Sequence, residues 1–420
     1  METIMVDEQA QLTADAVARR SYGKLVAFLA ARTRNVAAAE DALSDAFAAA
    51  LADWPRHGCP QNPEAWLLTA ARRKLIDAGR RRHTSDAAVP QLQLLAEAMQ
   101  AELEAASAER EIPDRRLALM FACAHPAIDP EVRAPLMLQV VVGLDAKTIA
   151  SAFLVSPAAM SKRLVRAKTK IQHSGIPFSI PGRDELAPRL DAVLDATYAA
   201  FAEGWSDPAG TDVSRRDLTA ESFFLARLIV ELLSAEPEPL GLLALMLHAE
   251  ARRSARRTTE GDYVPLAQQD PELWNAAMIE EAESLLRRAS KLGAIGRYQL
   301  EAALQSAHVA RRRTGRNNWP AVVALYDALA QIAPSPVIAI NRALALAESE
   351  GPRAALDAMP KPTDDCRLNQ YQPFWAARAD LLARIGAHNK AREAYDIAIG
   401  LERDPAVRRF LQQRQTALSK

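Results

Sequence analysis

Ser156-Pro-Ala-Ala-Met160-Ser-Lys-Arg-Leu164-Val-Arg-Ala167-Lys-Thr-Lys-Ile171-Gln-His173 is the stretch on which the reading of this chain turns. Serine followed by proline supplies an N-cap and a proline at the first helical position, so a helix is expected to start there. Met160, Leu164, Ala167 and Ile171 recur at helical spacing as one apolar stripe, and Ser161, Lys162, Val165, Arg166 and Thr169 fall on the other side. The stretch holds five basic residues and no acidic one. Upstream, an apolar helix over 131–142 stops at Gly143, and Asp145 is placed to cap a short helix carrying Ile149, Ala150 and Phe153. Two helices joined by a tight turn, the second with an open N-terminus, small residues near its start and Arg and Lys along its outer side, meet the requirements of a major-groove reader. Ser161, Lys162, Val165 and Arg166 are therefore expected to face DNA, with Arg163 and Lys168 toward phosphates or solvent. A solvated surface helix is the plain alternative.

The chain on the N-terminal side holds a second basic module. Asp15 to Ala31 and Ala37 to Trp54 carry apolar residues at helical spacing, and Pro55 is expected to end the second helix. Residues 56–63 (Arg-His-Gly-Cys-Pro-Gln-Asn-Pro) contain three breakers in eight positions and read as a loop. Glu64 to His83 then reads as one helix, with Leu67, Ala71 and Leu75 on one face and the pairs Arg73/Arg80 and Lys74/Arg81 on another. The clusters Arg72-Arg-Lys74 and Arg80-Arg-Arg82, beside a proline-rich loop and an aromatic-bearing helix, suit single-stranded nucleic acid, whose bases need pockets and whose backbone needs cations. Exposed surface ion pairs are the plainer reading.

Composition bounds the rest. The 420 residues suggest two or three domains. With only 16 glycines, many Ala and Leu and few aromatic residues, the fold class is expected to be all-α. No secretory signal or membrane span is indicated, so a cytoplasmic protein with no membrane partner is expected. Cys59, Cys123 and Cys366 are scattered, and the seven histidines never pair at metal-ligand spacing. Phosphate-loop, dinucleotide and nucleophile-elbow patterns are absent, so neither an enzyme nor a cofactor or metal is expected.

The net charge is zero, with 52 basic and 52 acidic side chains, but the zero is a sum of unlike parts. Residues 1–85 carry +2, 86–112 carry −5, 113–173 carry +5 and 174–420 carry −2. An acidic connector thus joins two basic modules, and a large near-neutral half follows. In that half Tyr326-Asp-Ala-Leu329 recurs as Tyr395-Asp-Ile-Ala398, and Asn341 to Met359 is similar to Arg378 to Ala398, with Gly351 and Gly386 at comparable turns. The spacing is close to twice the roughly 34-residue tetratricopeptide period.

Ala39-Glu-Asp-Ala-Leu-Ser-Asp-Ala-Phe47, Trp54-Pro55, and Pro63 to Asp77 followed by Arg80-Arg-Arg82 together resemble region 2 of bacterial extracytoplasmic-function sigma factors. Leu117 to Pro126, the helix-turn-helix through Lys168, and Gly175-Ile-Pro-Phe178 resemble region 4 of the subgroup with a long tetratricopeptide-like C-terminal extension. Ser44 stands where that family has an acidic residue or Gln, Thr148 where a capping Glu is common, and Ala202-Glu-Gly-Trp205 where Asn-Glu-Gly-Tyr is frequent.

The resemblance implies two small helical sigma domains, region 2 over 1–85 and region 4 over 113–175, joined by a linker at 86–112 and followed by an α-solenoid-like extension over 176–420. It implies a subunit that binds core RNA polymerase and promoter DNA. Asp41, Asp45 and Phe47 would contact polymerase. Arg56, His57, Asn62, Arg72, Arg73, Lys74, Arg80 and Arg81 would hold the melted −10 strand, and Ser161, Lys162, Val165 and Arg166 would read the −35 duplex. Glu97, Glu102, Glu104, Glu109 and Glu111 of the linker would imitate RNA charge in polymerase. The extension would bind a protein partner or tune activity. A helix-turn-helix regulator with a ligand- or protein-binding repeat domain is the competing class, and a repeat scaffold with vestigial DNA modules is a third.

Overall fold

The computed structural model describes residues 2–82, 115–153, 155–205 and 213–418. The acidic connector at 86–112, with its five named glutamates, lies outside the described residues. The fold is all-α, as the composition implies; the described residues carry helices and one isolated antiparallel bridge between Arg257 and Tyr263. No described helix is long and apolar enough to cross a membrane. Packing divides the chain into two units, Met1–Ser206 with Asp212–Leu225 and Ala226–Lys420 with Asp207–Thr211.

The first unit begins with α1 (Glu2–Thr33), α2 (Val36–His57) and α3 (Pro63–Arg82). Asn35 caps α2 by accepting from the Ala38 N–H at 3.0 Å. Val36, Ala39, Leu43, Ala46, Ala50 and Trp54 follow at helical spacing and are buried. Pro55 does not end α2. The helix runs on to His57 and stops at Gly58, whose φ of 86° only glycine adopts readily and whose N–H reaches the Trp54 carbonyl. A proline this close to the end forfeits a single backbone bond, so the last turn persists. The expected loop at 56–63 therefore shrinks to 58–62, and Arg56 and His57 sit on helix. On α3, Leu67 and Ala71 are buried and Leu75 is half-buried, the face expected from the pattern.

The unit continues with α4 (Arg116–Cys123), α5 (Pro130–Val140), α6 (Ala146–Ala152), α7 (Pro157–His173), α8 (Arg183–Trp205) and the start of α9 (Val213–Leu232). Gly143, at φ 81°, makes the turn after α5, donating to Gln139, while Leu144 donates to Leu138. Asp145 caps α6, accepting from the Lys147 and Thr148 N–H groups at 2.8 and 2.9 Å. Thr148 at the family's Glu position does not reach back to the cap backbone; its hydroxyl donates to the Asp145 carboxylate at 2.9 Å and steadies the cap instead. These bonds hold the Asp145 carboxyl below the usual range, the Thr148 N–H first. Phe153, expected on the apolar side of this helix, is 36% exposed. Packing does not stop at 175: α8 lies on α5, with Leu186, Leu190, Val193 and Leu194 buried.

The second unit is built on α10 (Pro237–Glu250), α11 (Ala276–Ser290) and α12 (Arg297–Thr314). Residues 239–248 of α10 are all buried, so this helix is a core strut rather than an amphipathic layer. Its Gly241 lies so close to α12 that a Cβ would stand 2.6 Å from the Gln299 nitrogen. Glu238 then caps α12, accepting from the Tyr298 and Gln299 N–H groups at 2.8 and 3.2 Å. Beyond it come α13 (Trp319–Ile332), α14 (Pro336–Ser349), α15 (Pro352–Ala358), α16 (Gln372–Arg384), α17 (His388–Leu401) and α18 (Pro405–Ala417). Gly351 and Gly386, at φ 97° and 78°, occupy equivalent turns between α14 and α15 and between α16 and α17. Leu356 and Trp375 pack into two successive core clusters, the chained packing of a helical array. The array closes on itself, because Phe410 of α18 meets Tyr263 edge-on at 5.5 Å and Arg409 pairs with Asp262 at 3.0 Å.

Two histidines, buried His248 and half-buried His308, set an acid limit on this unit. Burial first, then Arg252 and Arg313, lowers His248 to about 4, and burial, Arg311 and Arg252 lower His308 to about 4. Both folded values lie below the ordinary 6.5, so the unfolded chain takes up protons first as pH falls. Stability is full above pH about 6.5 and declines toward pH 4, by on the order of a few kcal/mol. Thermal melts from pH 7.5 to 4.5 check this: the slope between 6.5 and 5 should flatten in His248→Gln/His308→Gln, and an unchanged slope contradicts it.

Candidate nucleic-acid and polymerase interface

Helices α6 and α7 of the first unit form where the sequence places them. Ser156 caps α7 by accepting from the Ala159 N–H at 3.3 Å, and Pro157 occupies the first turn. Met160, Leu164, Ala167 and Ile171 are buried, while Ser161, Lys162, Val165 and Arg166 are exposed on one side. Val165 is 64% exposed, second only to Ile295 among the large apolar side chains of the described residues. An apolar side chain held in water between cationic neighbours has little to gain in the isolated chain. In a major groove it would lie against a thymine methyl, beside Arg and Lys that hydrogen-bond base edges.

The flanking basic residues behave differently. Arg163 pairs with Glu131 of α5 at 3.0 Å. Lys168, expected toward phosphate or solvent, instead turns inward and meets Glu40 of α2 at 2.6 Å, with both side chains about 85% buried. Burial raises the Glu40 carboxyl and Lys168 partly offsets it. The same face is flush elsewhere: a Cβ on Gly23 of α1 would stand 1.7 Å from the Val141 carbonyl oxygen at the end of α5. The two basic modules are thus in direct contact within one unit, and the side of α7 bearing Ser161, Lys162, Val165 and Arg166 stays open. Lys168→Ala and Glu40→Ala should each destabilise the first unit by about 1–3 kcal/mol, and the double variant by less than the sum. Urea denaturation of all four proteins measures the coupling; strict additivity would show that the pair contributes nothing.

The −10 candidates cluster around the 58–62 loop and α3. Trp54 and Trp66, edge to face at 5.6 Å, brace the loop from both sides. Arg56, His57 and Asn62 are exposed, as are Arg73 and Lys74, and Arg72 is half-buried. His57 pairs with Asp53 at 2.9 Å. Asn62, expected on the melted −10 strand, is the cap of α3, its Oδ1 accepting from the Ala65 N–H at 3.1 Å. Arg80 and Arg81 lie on α3, but their side chains are outside the described residues.

The polymerase candidates share a helix. Asp41 and Asp45 are exposed on α2 and Phe47 is half-buried. Asp45 lies 3.6 Å from Lys74, so an expected polymerase contact and an expected DNA contact face one another. Both are about half exposed, and such a pair is worth ~0–1 kcal/mol, little enough to exchange for outside partners. Among the described residues no cluster of His, Cys, Asp and Glu could hold a metal ion.

Sequence reasoning missed Gly23 and Glu40. A glycine inside an otherwise helical pattern marks a close backbone approach, which was the available signal at Gly23. Glu40 gives no such sign, because its partner lies 128 residues away.

Comparison with known proteins agrees with the geometry of the N-terminal module. Residues 17–84 match the family model described as Sigma-70 region 2. Residues 189–290 match a family of unknown function, DUF6596. An uncharacterized protein of Rhizobium meliloti (strain 1021) is 39% identical over 370 residues, covering 88% of this chain and 87% of that protein. No solved structure matches.

Proposed function

We propose, from the premise that this chain belongs to one family with the Rhizobium meliloti protein and carries sigma-70 region 2, that it is a promoter-reading sigma factor of the extracytoplasmic-function type. Region 2 supports a sigma factor, and with it binding to core RNA polymerase and promoter DNA. The finer assignments rest on the sequence resemblance, supported where the side chains are described by their exposure. Asp41, Asp45 and Phe47 of α2 dock on core polymerase. Arg56, His57, Asn62, Arg72, Arg73, Lys74, Arg80 and Arg81 hold the melted −10 strand, and Ser161, Lys162, Val165 and Arg166 read the −35 duplex. The observation that carries the −35 assignment is the open side of α7, with Val165 held in solvent between Lys162 and Arg166.

The contact between the modules has a consequence for mechanism. Elements centred near −10 and −35 lie roughly 85 Å apart on duplex DNA, at about 35 Å per helical turn. Helices joined by the Glu40–Lys168 pair cannot reach both, so the modules part when polymerase and promoter are engaged. Asp45 and Lys74 would exchange one another for polymerase and DNA at the same step.

The equivalent glycine turns and chained core clusters of the second unit support a tetratricopeptide-like extension that tunes activity or binds a partner. Co-purification of the chain with core polymerase, followed by run-off transcription, tests the whole assignment. A helix-turn-helix regulator would bind a DNA fragment without polymerase and would leave core polymerase as inactive as before.

A further inference from the structure

In the second unit, α12, α13, α14 and α16 surround a cavity of about 500 Å³. Its charges are unevenly matched. Glu348 on its wall pairs with Arg384 at 2.6 Å, and Asp380 with Arg414 at 2.5 Å, so both carboxylates are engaged. Neither Arg311 nor Arg312 is in an ion pair among the described residues; Glu348 stands near enough to Arg311 to attract it, but its carboxylate is bonded to Arg384. Arg311 lies over Trp319, its guanidinium carbon 3.8 Å from the ring centroid. Its hydrogen bonds go to neutral acceptors, His308 Nδ1 at 3.0 Å and Asn318 Oδ1 at 3.4 Å. Since arginine only donates, the imidazole nitrogen accepts and His308 is neutral. Arg312 donates to the Gln269 carbonyl at 2.5 Å, and its Nε is buried with no partner.

Two guanidinium groups whose nearest carboxylate is bonded to Arg384, one of them over an aromatic ring, offer donors to an incoming anion. We propose that this cavity binds the carboxylate of an acidic peptide segment of a partner protein, with Arg311 and Arg312 as the receiving forks. A planar carboxylate matches the fork and the ring beside it. Glu348 and Asp380 across the cavity oppose a doubly charged phosphate and can accept peptide N–H groups, while Asn341 offers an amide to the peptide backbone. The volume suits one or two side chains rather than a folded domain. The residues come from positions 266 to 384, and only the curvature of the helical array brings them together.

The proposal gives a chemistry to the partner-binding role suggested above for the extension, and its test involves no transcription, so its failure leaves the promoter assignment standing. Isothermal titration of the full chain with a capped Ala-Glu-Glu-Leu peptide should show saturable binding, and the matching Ala-Gln-Gln-Leu peptide should bind at least tenfold more weakly. Arg311→Ala should weaken the acidic peptide at least tenfold. Arg311→Lys, which keeps the charge and poses little risk to folding, should weaken it about threefold, because the fork is lost. Equal binding of the two peptides, unchanged binding in both variants, or displacement of the peptide by equimolar inorganic phosphate overturns the proposal.

Discussion

Arg166→Ala should lower run-off transcription from a promoter carrying the chain's upstream element by about five- to a hundredfold, and leave binding to core polymerase unchanged. The side chain is exposed on α7 and makes no ion pair within the described residues, so its removal costs the free chain little. Bidentate contact of an arginine with guanine is worth about 1–3 kcal/mol of discrimination, which sets the range. The loss should be largest on the best −35 sequence and shrink on promoters where that element is poor. Val165→Ala should have a smaller effect confined to promoters with thymine at the facing step. If Arg166→Ala also abolishes polymerase binding, α7 contacts polymerase and the −35 assignment fails.

Gly23→Ala should raise the affinity for core polymerase by about tenfold. The added Cβ cannot coexist with the Val141 oxygen 1.7 Å away, so α1 and α5 must separate. Within α1 the change is favourable, since alanine is better than glycine in a helix by ~1 kcal/mol. Hence region 2 should stay folded while its contact with α5 opens. A closed form in equilibrium with a polymerase-competent open form lowers the apparent affinity by the open fraction, and removing the closed form restores it. Anisotropy of labelled protein titrated with core polymerase measures the change, and a larger radius of gyration by small-angle scattering should accompany it. Unchanged or weaker binding would show that the contact does not oppose polymerase docking.

The periodic parts of the fold were legible in the sequence because burial alone decides them. Met160, Leu164, Ala167 and Ile171 are buried and their neighbours exposed, as the spacing required. Pro55 was misread because its position relative to the helix end decides whether proline breaks a helix, and that end is set by Gly58 three residues on. Asn62-Pro63 carries the same cap-then-proline signature as Ser156-Pro157, yet the surrounding breakers masked it. The contacts that join the modules were not legible, since Glu40 and Lys168 are brought together by tertiary packing rather than local pattern. The extension cavity is hidden for the same reason: its lining is drawn from several helices, none of them periodic in charge.

The charge balance acquires a structural meaning. The positive charge of residues 115–173 is partly spent internally, with Lys168 on Glu40 and Arg163 on Glu131, while Lys162 and Arg166, the residues proposed to meet DNA, stay exposed. On the proposed reading, the free chain should bind polyanions weakly and rely on polymerase to present the promoter.

The most direct measurement is transcription by purified core polymerase on fragmented genomic DNA from the source organism, with and without the purified chain, followed by mapping of RNA 5′ ends. The account predicts new transcripts that appear only with the chain and share two sequence elements about 25 base pairs apart. The upstream element should depend on Arg166 and the downstream one on Arg73 and Lys74. A chain that fails to associate with core polymerase, or associates and yields no transcript beyond core polymerase alone, would contradict it.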